Sequence, residues 1–257
     1  WTKAVDFSGS SERAEMTSTS LNYNPMQMAR TSATVSAPVG AQTVSNGHPW
    51  ATTCVFNRDA VNSNQHIWNL GDGAGSSDDN IYLRTSGYSG ALYFGWGRQG
   101  AVNEHLISTS LGSAAWYGVY VGFNGRRLSG SDATAANLAQ CFTIKLMFAS
   151  GNDWIFNPNP TSPPGAGTWT STGGRMDRAF LGGLTIGGRG ANRSYHGKVA
   201  SFVTTTLLCG QDMPNNDEIK EMVTDPMGWV ETYKEGNNFR KSQYTNTGVS
   251  AWDSAGP

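Results

Sequence analysis

Punctuation constrains this chain most. Short runs of β-branched and aromatic residues recur along it, each stopped within a few residues by a glycine-, serine- or asparagine-rich turn signal. Residues 3–7 alternate and then meet Ser8-Gly9-Ser10. Residues 50–56 form a β-branched and aromatic run, and residues 65–70 lead into Gly71-Asp72-Gly73-Ala74-Gly75. Residues 81–83 and 91–96 read as a hairpin pair, and residues 116–123 alternate large and small before ending in Asn124-Gly125, a two-residue hairpin signal. Further strands are expected over 141–148, 184–186 and 198–205. Helix signals come only late. Asn215, Asn216, Asp217 and Glu218 supply capping groups and first-turn acids, followed by Ile219, Met222 and Val223 on one face. Trp229 and Tyr233, four apart, suit a second short helix. Many short strands with one or two terminal helices imply an all-β sandwich or barrel.

Composition agrees. The chain has 257 residues, 38% hydrophobic and only 14% charged, and its 32 glycines serve tight turns. One large sandwich or two small domains would account for that length. A net charge of −1 leaves no electrostatic footprint for nucleic acid, and no apolar run is long enough for membrane insertion. Cys54, Cys141 and Cys209 are too few and too scattered for a disulfide framework or a zinc knuckle, so each is expected as a small buried hydrophobe. The chain opens at Trp1 and closes at Pro257 without a terminating element, and both ends are expected to continue. Residues 157–165 are proline-rich and read as an inserted loop, and the polar stretch from about Lys234 reads as a tail.

Four segments in order resemble the laminin-G-like family of the concanavalin-type lectin and glucanase group. They are Ala4-Val5-Asp6-Phe7-Ser8-Gly9 leading towards Met16; Trp50-Ala51-Thr52-Thr53-Cys54-Val55-Phe56; Trp116-Tyr117-Gly118-Val119-Tyr120-Val121-Gly122-Phe123; and Leu184-Thr185-Ile186-Gly187-Gly188-Arg189 followed by Tyr195-His196-Gly197-Lys198-Val199-Ala200-Ser201-Phe202. The family's histidine pair after the tryptophan of the third segment is missing. The resemblance spans about residues 3–224 and implies an antiparallel jelly-roll sandwich over 1–224, with residues 225–257 as a C-terminal helix and extended connector. Residues 222–234 are similar to the stretch that follows such modules in bacteriophage particle proteins.

Chemistry is sparse. Retaining glucanases of this fold carry an acid and a nucleophile on one strand as Glu-x-Asp-x-x-Glu, and no such run exists here. His48, His66, His105 and His196 fall in no metalloprotease or nucleophile pattern, so turn or edge packing is the preferred reading. The glycine-rich stretches at 71–75 and 187–190 lack the Lys-Ser/Thr ending of a phosphate loop. Asp72, Asp78, Asp79 and Asn80 offer oxygen ligands for calcium, but a solvated loop with turn-capping acids is the preferred reading, and no metal or cofactor is expected. Glycan contact calls for aromatic faces beside planar polar groups. The expected ligand-binding residues are Trp154 with Asn152 and Asp153, Trp169, and Tyr195 with Asn192 and Arg193. Asn192-Arg193-Ser194 also matches a glycosylation acceptor, which matters only in a secreting eukaryote.

The expectation is a non-catalytic structural module at a virion surface, as a capsid decoration or tail-associated protein. Its partners would be other virion proteins, copies of itself and host cell-surface glycan. An extracellular carbohydrate-binding lectin is the alternative, and a divergent glycan hydrolase ranks third.

Overall fold

The computed structural model describes residues 4–8, 12–16, 26, 35–37, 40–42, 49–59, 64–71, 80–88, 90–98, 101–125, 134–157, 169–171, 183–189, 193–206 and 214–229. The fold is an all-β antiparallel sandwich of jelly-roll type. One sheet has six strands in the order β1 (Val5–Ser8), β15 (His196–Thr206), β5 (Trp50–Arg58), β10 (Trp116–Phe123), β11 (Phe142–Ser150), β12 (Asp153–Phe156). The other has seven: β13 (Trp169–Ser171), β9 (Ala101–Ser108), β8 (Ala91–Arg98), β7 (Asn80–Ser86), β6 (Gln65–Gly71), β14 (Gly183–Ile186), β2 (Ala14–Met16). The first strands of the chain pair with the last in both sheets, β1 with β15 and β2 with β14. A separate hairpin joins β3 (Val35–Ala37) to β4 (Gly40–Gln42).

The core lies between the sheets, where alternate residues of each strand point inward. The six-stranded sheet contributes Cys54, Phe56, Val119, Val121, Ile144 and Leu146; the seven-stranded sheet contributes Leu70, Ile81, Leu83, Leu92, Leu184 and Ile186. An aromatic knot of Trp50, Phe94, Trp96, Phe123, Phe142 and Trp169 fills one region, its closest centroids 4.9 Å apart, at Trp96 and Phe142. Such pairs add about 0.5–1.5 kcal/mol each beyond area burial.

The six-stranded sheet is also buried on its outward face. Helix α2, Asn216–Thr224, starts from a capping box in which the Asn215 side chain accepts from the Asp217 and Glu218 amides and the Glu218 carboxylate accepts from the Asn215 amide. Its Ile219, Met222 and Val223, with Trp229 from the helical turn at 226–229, cover Ala51, Val55, Tyr120 and Met147. Strand β5 is therefore buried along all nine residues, which is why it reads as a continuous run instead of an alternation. Trp229 lies past the boundary expected at residue 224 and packs on its own chain's sheet; Tyr233 lies outside the described residues.

Asn124-Gly125 does not form a two-residue hairpin. Strands β10 and β11 are antiparallel neighbours, but Phe123 pairs with Phe142 across a longer connection that contains helix α1, Ala135–Ala139. Asn124 instead caps that connection, donating from its amide to the Cys141 carbonyl and from its side chain to the Gln140 carbonyl. Strands β9, β12 and β13 carried no clear sequence signal. Cys54 and Cys141 are buried and form no disulfide with each other, while Cys209, loop 72–79 and residues 158–168 lie outside the described residues.

Candidate functional site on the outward face of the seven-stranded sheet

A β-bulge defines the site. Between His66 and Trp68 the pairing of β6 with β7 slips by one residue. Ile67 and Trp68 both turn into the core as a result, and His66 and Asn69, three apart, both turn outward. Across the sheet the outward residues align in register: Glu15, Thr185, Asn69, Tyr82, Gly95 and Glu104 occupy one rung from β2 to β9. His66, Arg84, Tyr93 and Leu106 form the rung beside it. Among the described residues no helix covers this face.

Its side chains hold one another. Arg84 makes a paired contact with Glu104, Nε to Oε1 and Nη2 to Oε2, both at 2.8 Å, and its guanidinium lies 4.2 Å from the centre of the Tyr93 ring. The Tyr82 hydroxyl donates to the same Glu104 at 2.9 Å. That phenol lies across Gly95, where a Cβ would stand 2.8 Å from its oxygen and 2.9 Å from the Asn103 carbonyl, so the residue under the ring has to be glycine. The ion pair is recessed, with the Arg84 and Glu104 side chains 14% and 13% exposed. Burial first, then the Glu104 carboxylate, pushes the Tyr82 phenol well above its usual range, and the phenol remains a donor.

Towards β6 the polar groups lack partners. His66 is buried against the Tyr82 ring, centroids 5.1 Å apart, and neither ring nitrogen makes a hydrogen bond. Asn69 donates to the Asn80 side chain at 3.2 Å, but its own carbonyl oxygen has no donor. The Asn69 carboxamide lies beside the imidazole without reaching hydrogen-bond geometry. The segment after β14 folds back over this point: Gly187 donates to the Ile67 carbonyl, and the His66 amide donates to the Arg193 carbonyl. Burial, followed by the positive fields of Arg193, Arg189 and Arg84, keeps His66 neutral well below the usual histidine range.

The residues expected from the sequence to bind ligand do not assemble into one site. Trp169 is 7% exposed and packs on Trp96, His105 and Phe142, so it is a core ring without a free stacking face. Tyr195 is fully buried, its hydroxyl donating to the Asn57 carbonyl at 2.8 Å; it too is structural. Trp154 lies on β12 and not in a loop. It is half-buried beside Gly118 and the α2 cluster, and the adjacent Asp153 pairs with Lys220 of α2 at 2.8 Å. Bonds from Lys220 and from the Trp154 amide lower the Asp153 carboxyl. This pair clamps the helix to the sheet edge, with Asn152 exposed in the preceding turn. Asn192 lies outside the described residues. Arg193 alone joins the polar face, held at φ 63°. Sequence reasoning missed Tyr82, Arg84, Glu104 and Asn69, whose common signal is polar residues at alternate positions of strands that are otherwise apolar.

Among the described residues no three His, Cys, Asp or Glu side chains form a group able to hold a metal. No helix there is long and apolar enough to cross a membrane.

No protein-family model matches the chain, and no curated protein matches it. Solved structures resemble it only distantly. The CBM40 domain of the Ruminococcus gnavus IT-sialidase, bound to α2,3-sialyllactose, is 10% identical over 86% of this chain and 97% of that one, with a TM-score of 0.44. Domains LG4-5 of the mouse laminin α1 chain are 9% identical over 84% and 46%, with a TM-score of 0.38. The enzymatically active domain of tailspike protein 2 from bacteriophage CBA120 is 13% identical over 70% and 25%, with a TM-score of 0.38. At these values the likenesses assign neither a family nor a residue role.

Proposed function

We propose that this chain is a non-catalytic recognition module that binds glycan on the outward face of its seven-stranded sheet. The observation that carries this reading is the cluster of planar polar side chains Tyr82, Arg84 and Glu104, fixed by one another, with Asn69 continuing the Tyr82 rung towards β6. Sugars present paired hydroxyls at fixed spacing, and rigid planar donors and acceptors meet them at little entropic cost. Catalysis fits the same face poorly. Both Glu104 oxygens are engaged, and the next carboxylate on its rung, Glu15, is five strand spacings away, about 24 Å at ~4.8 Å per strand. Glycosidases hold their two carboxyl groups within about 10 Å.

The test is a glycan array followed by calorimetry on the best hits. A Tyr82→Phe/Asn69→Ala double variant, with both changes conservative in volume or smaller, is expected to lose about tenfold in affinity, as two hydrogen bonds of ~0.7 kcal/mol each imply. Unchanged affinity in a folded variant removes the site from the proposal, and an array with no hit removes the function.

The setting proposed for this module is the surface of a virus particle, a reading supported by the likeness of residues 222–234 to phage particle proteins. Sedimentation of native source material, with this chain followed by mass spectrometry, checks it. Co-sedimentation with a large particle at high salt supports the setting; recovery only in the slow fraction moves the module to an extracellular lectin.

A further inference from the structure

Resting on the glycan reading, we infer that this face takes an extended run of several neutral sugars instead of a single terminal one, because the site continues along the β7–β8 hairpin from the Arg84–Glu104 pair to a fixed aromatic tip at Tyr88. The outward positions beyond the polar cluster can be read from the register. Tyr93 pairs with Arg84, and Ser86 pairs with Ala91 one rung further on. Alternation along the two strands puts all four on the outward face. The Arg84 guanidinium lies 4.2 Å from the centre of the Tyr93 ring and holds it from one side, and the ring is half-buried. Ser86 and Ala91 are small, so the sheet surface stays low between Tyr93 and the turn. In that turn Tyr88 is 66% exposed, and no other aromatic ring among the described residues is exposed.

The turn that carries Tyr88 is anchored from beneath. Gly87 and Gly90 take φ of 63° and 65°, and the Gly90 amide donates to the Gly87 carbonyl at 3.1 Å. Arg58, at the end of β5 in the opposite sheet, reaches across the sandwich to it. Its guanidinium donates to the Tyr88 carbonyl at 3.0 Å, the Leu111 carbonyl at 2.6 Å and the Asp59 carbonyl at 3.3 Å. A Cβ at Gly90 would stand 1.5 Å from Arg58 Nη1, so the guanidinium fills the space of that missing side chain. Arg58 is 1% exposed, and burying a charge on backbone carbonyls is costly. What the cost secures is the backbone of the one residue that presents an aromatic ring to solvent. A ring fixed before binding stacks on a sugar C–H face with little loss of freedom. Arg58 is thus a positioning residue and Tyr88 a contact residue.

The separation of the contacts sets the ligand class. Tyr82 and Tyr88 are six positions apart, so about 20 Å of strand at ~3.3 Å per residue separates the polar cluster from the tip. One pyranose cannot reach both. A chain lying along the strands can, with hydroxyls at Tyr82, Arg84 and Glu104 and C–H faces on Tyr93 and Tyr88. Arg84 and Glu104 offset each other's charge, which suits neutral sugars.

The experiment is calorimetry with length ladders of neutral galacto-, manno- and gluco-oligosaccharides, from the disaccharide to the hexasaccharide. In at least one ladder the hexasaccharide is expected to bind at least tenfold tighter than the disaccharide. That ratio should shrink about fivefold in Tyr88→Ala, stay in Tyr88→Phe, and shrink in Arg58→Lys, which cannot reach all three carbonyls. Tyr88 is exposed, so its variants are expected to fold and carry the test even if Arg58→Lys does not. Equal affinity along every ladder overturns the inference and leaves the glycan reading standing. So does a length gain that survives Tyr88→Ala, since repeated units alone give that statistically. Silence of every ladder while a glycan array reports terminal sugars also overturns it. Silence of the ladders and the array together brings down the glycan reading itself.

Discussion

Removing the charge of Arg84 alone is expected to damage the protein more than removing the charges of Arg84 and Glu104 together. In Arg84→Met the Glu104 carboxylate keeps only the Tyr82 hydroxyl, in a site where its side chain is 13% exposed. Stranding one member of a buried pair costs about 3–5 kcal/mol, and the residual exposure places this case near 3. In a chain of this size each kcal/mol shifts Tm by about 2–4 °C, so a fall of about 6–12 °C is expected. Glu104→Gln in the same background removes the stranded charge, and its amide oxygen still accepts from Tyr82. The double variant is expected to recover most of the loss, because a buried ion pair roughly breaks even against neutral packing. Glycan binding should not recover, since the charged planar pair is gone. The assay is thermal unfolding with calorimetry on both variants and the Glu104→Gln single. If Arg84→Met unfolds within about 2 °C of the parent, the pair is solvated and the recessed site is misjudged. If the double variant regains both stability and affinity, the pair is architectural only.

Three other outcomes follow from the packing. Gly118→Ala places a Cβ 2.5 Å from Val223 Cγ1 and 3.2 Å from Trp154 Cζ3, so it should push α2 off the sheet and cost about 1–3 kcal/mol in chemical denaturation, relieved by adding Val223→Ala. Tyr195→Phe leaves the Asn57 carbonyl without its donor and should cost about 1–2 kcal/mol, with glycan affinity unchanged; a loss of affinity would restore Tyr195 to the site. Burial lowers His105 from 6.5 to about 4, so between those values the unfolded chain binds the extra proton, and stability should fall as pH drops from about 6.5 towards 4, by about 3 kcal/mol in all. Denaturation midpoints measured across that range should show the slope in the parent and a shallower one in His105→Gln; a flat profile in the parent refutes it.

The strands were legible where one physical rule governed them. β5, β6, β8, β10 and β15 declare themselves because each puts large apolar residues into the core, and α2 because its capping box and apolar face are local. What stayed hidden depends on neighbours distant in sequence. Trp154 and Trp169 look alike as sequence, a tryptophan amid polar residues, yet one lies half-buried against α2 and the other is locked beside Trp96. Only the sheet order decides between them. The polar rung escaped for a related reason. Asn69, Tyr82 and Glu104 are separated by 13 and 22 positions, read from their numbers, and become neighbours only through the register of three strand pairs and a bulge that no local pattern marks. Arg193 was singled out because it sits beside turn residues, where binding groups are commonly placed.

The two outward faces of the sandwich differ in a way that stability alone does not explain. Apolar residues of α2 and Trp229 cover the six-stranded sheet, and the Lys220–Asp153 pair pins the helix there. The seven-stranded sheet has the same need for cover, yet its outward face carries an arginine, a glutamate, a tyrosine hydroxyl and an unpaired histidine. Apolar residues in those positions would fold at least as well. The unpaired His66 and Asn69 groups each cost about 1–3 kcal/mol in the free protein. Both residues are about 1% exposed, so a ligand meets them, and removes that cost, only when this end of the face opens. Saturating ligand at about 100 times Kd should therefore stabilise the chain by ~2.7 kcal/mol, and this increment should shrink when His66 and Asn69 are replaced by apolar residues even as the free protein becomes more stable. Opposite movements of free stability and ligand-induced stabilisation would distinguish a binding face from a surface that is merely polar.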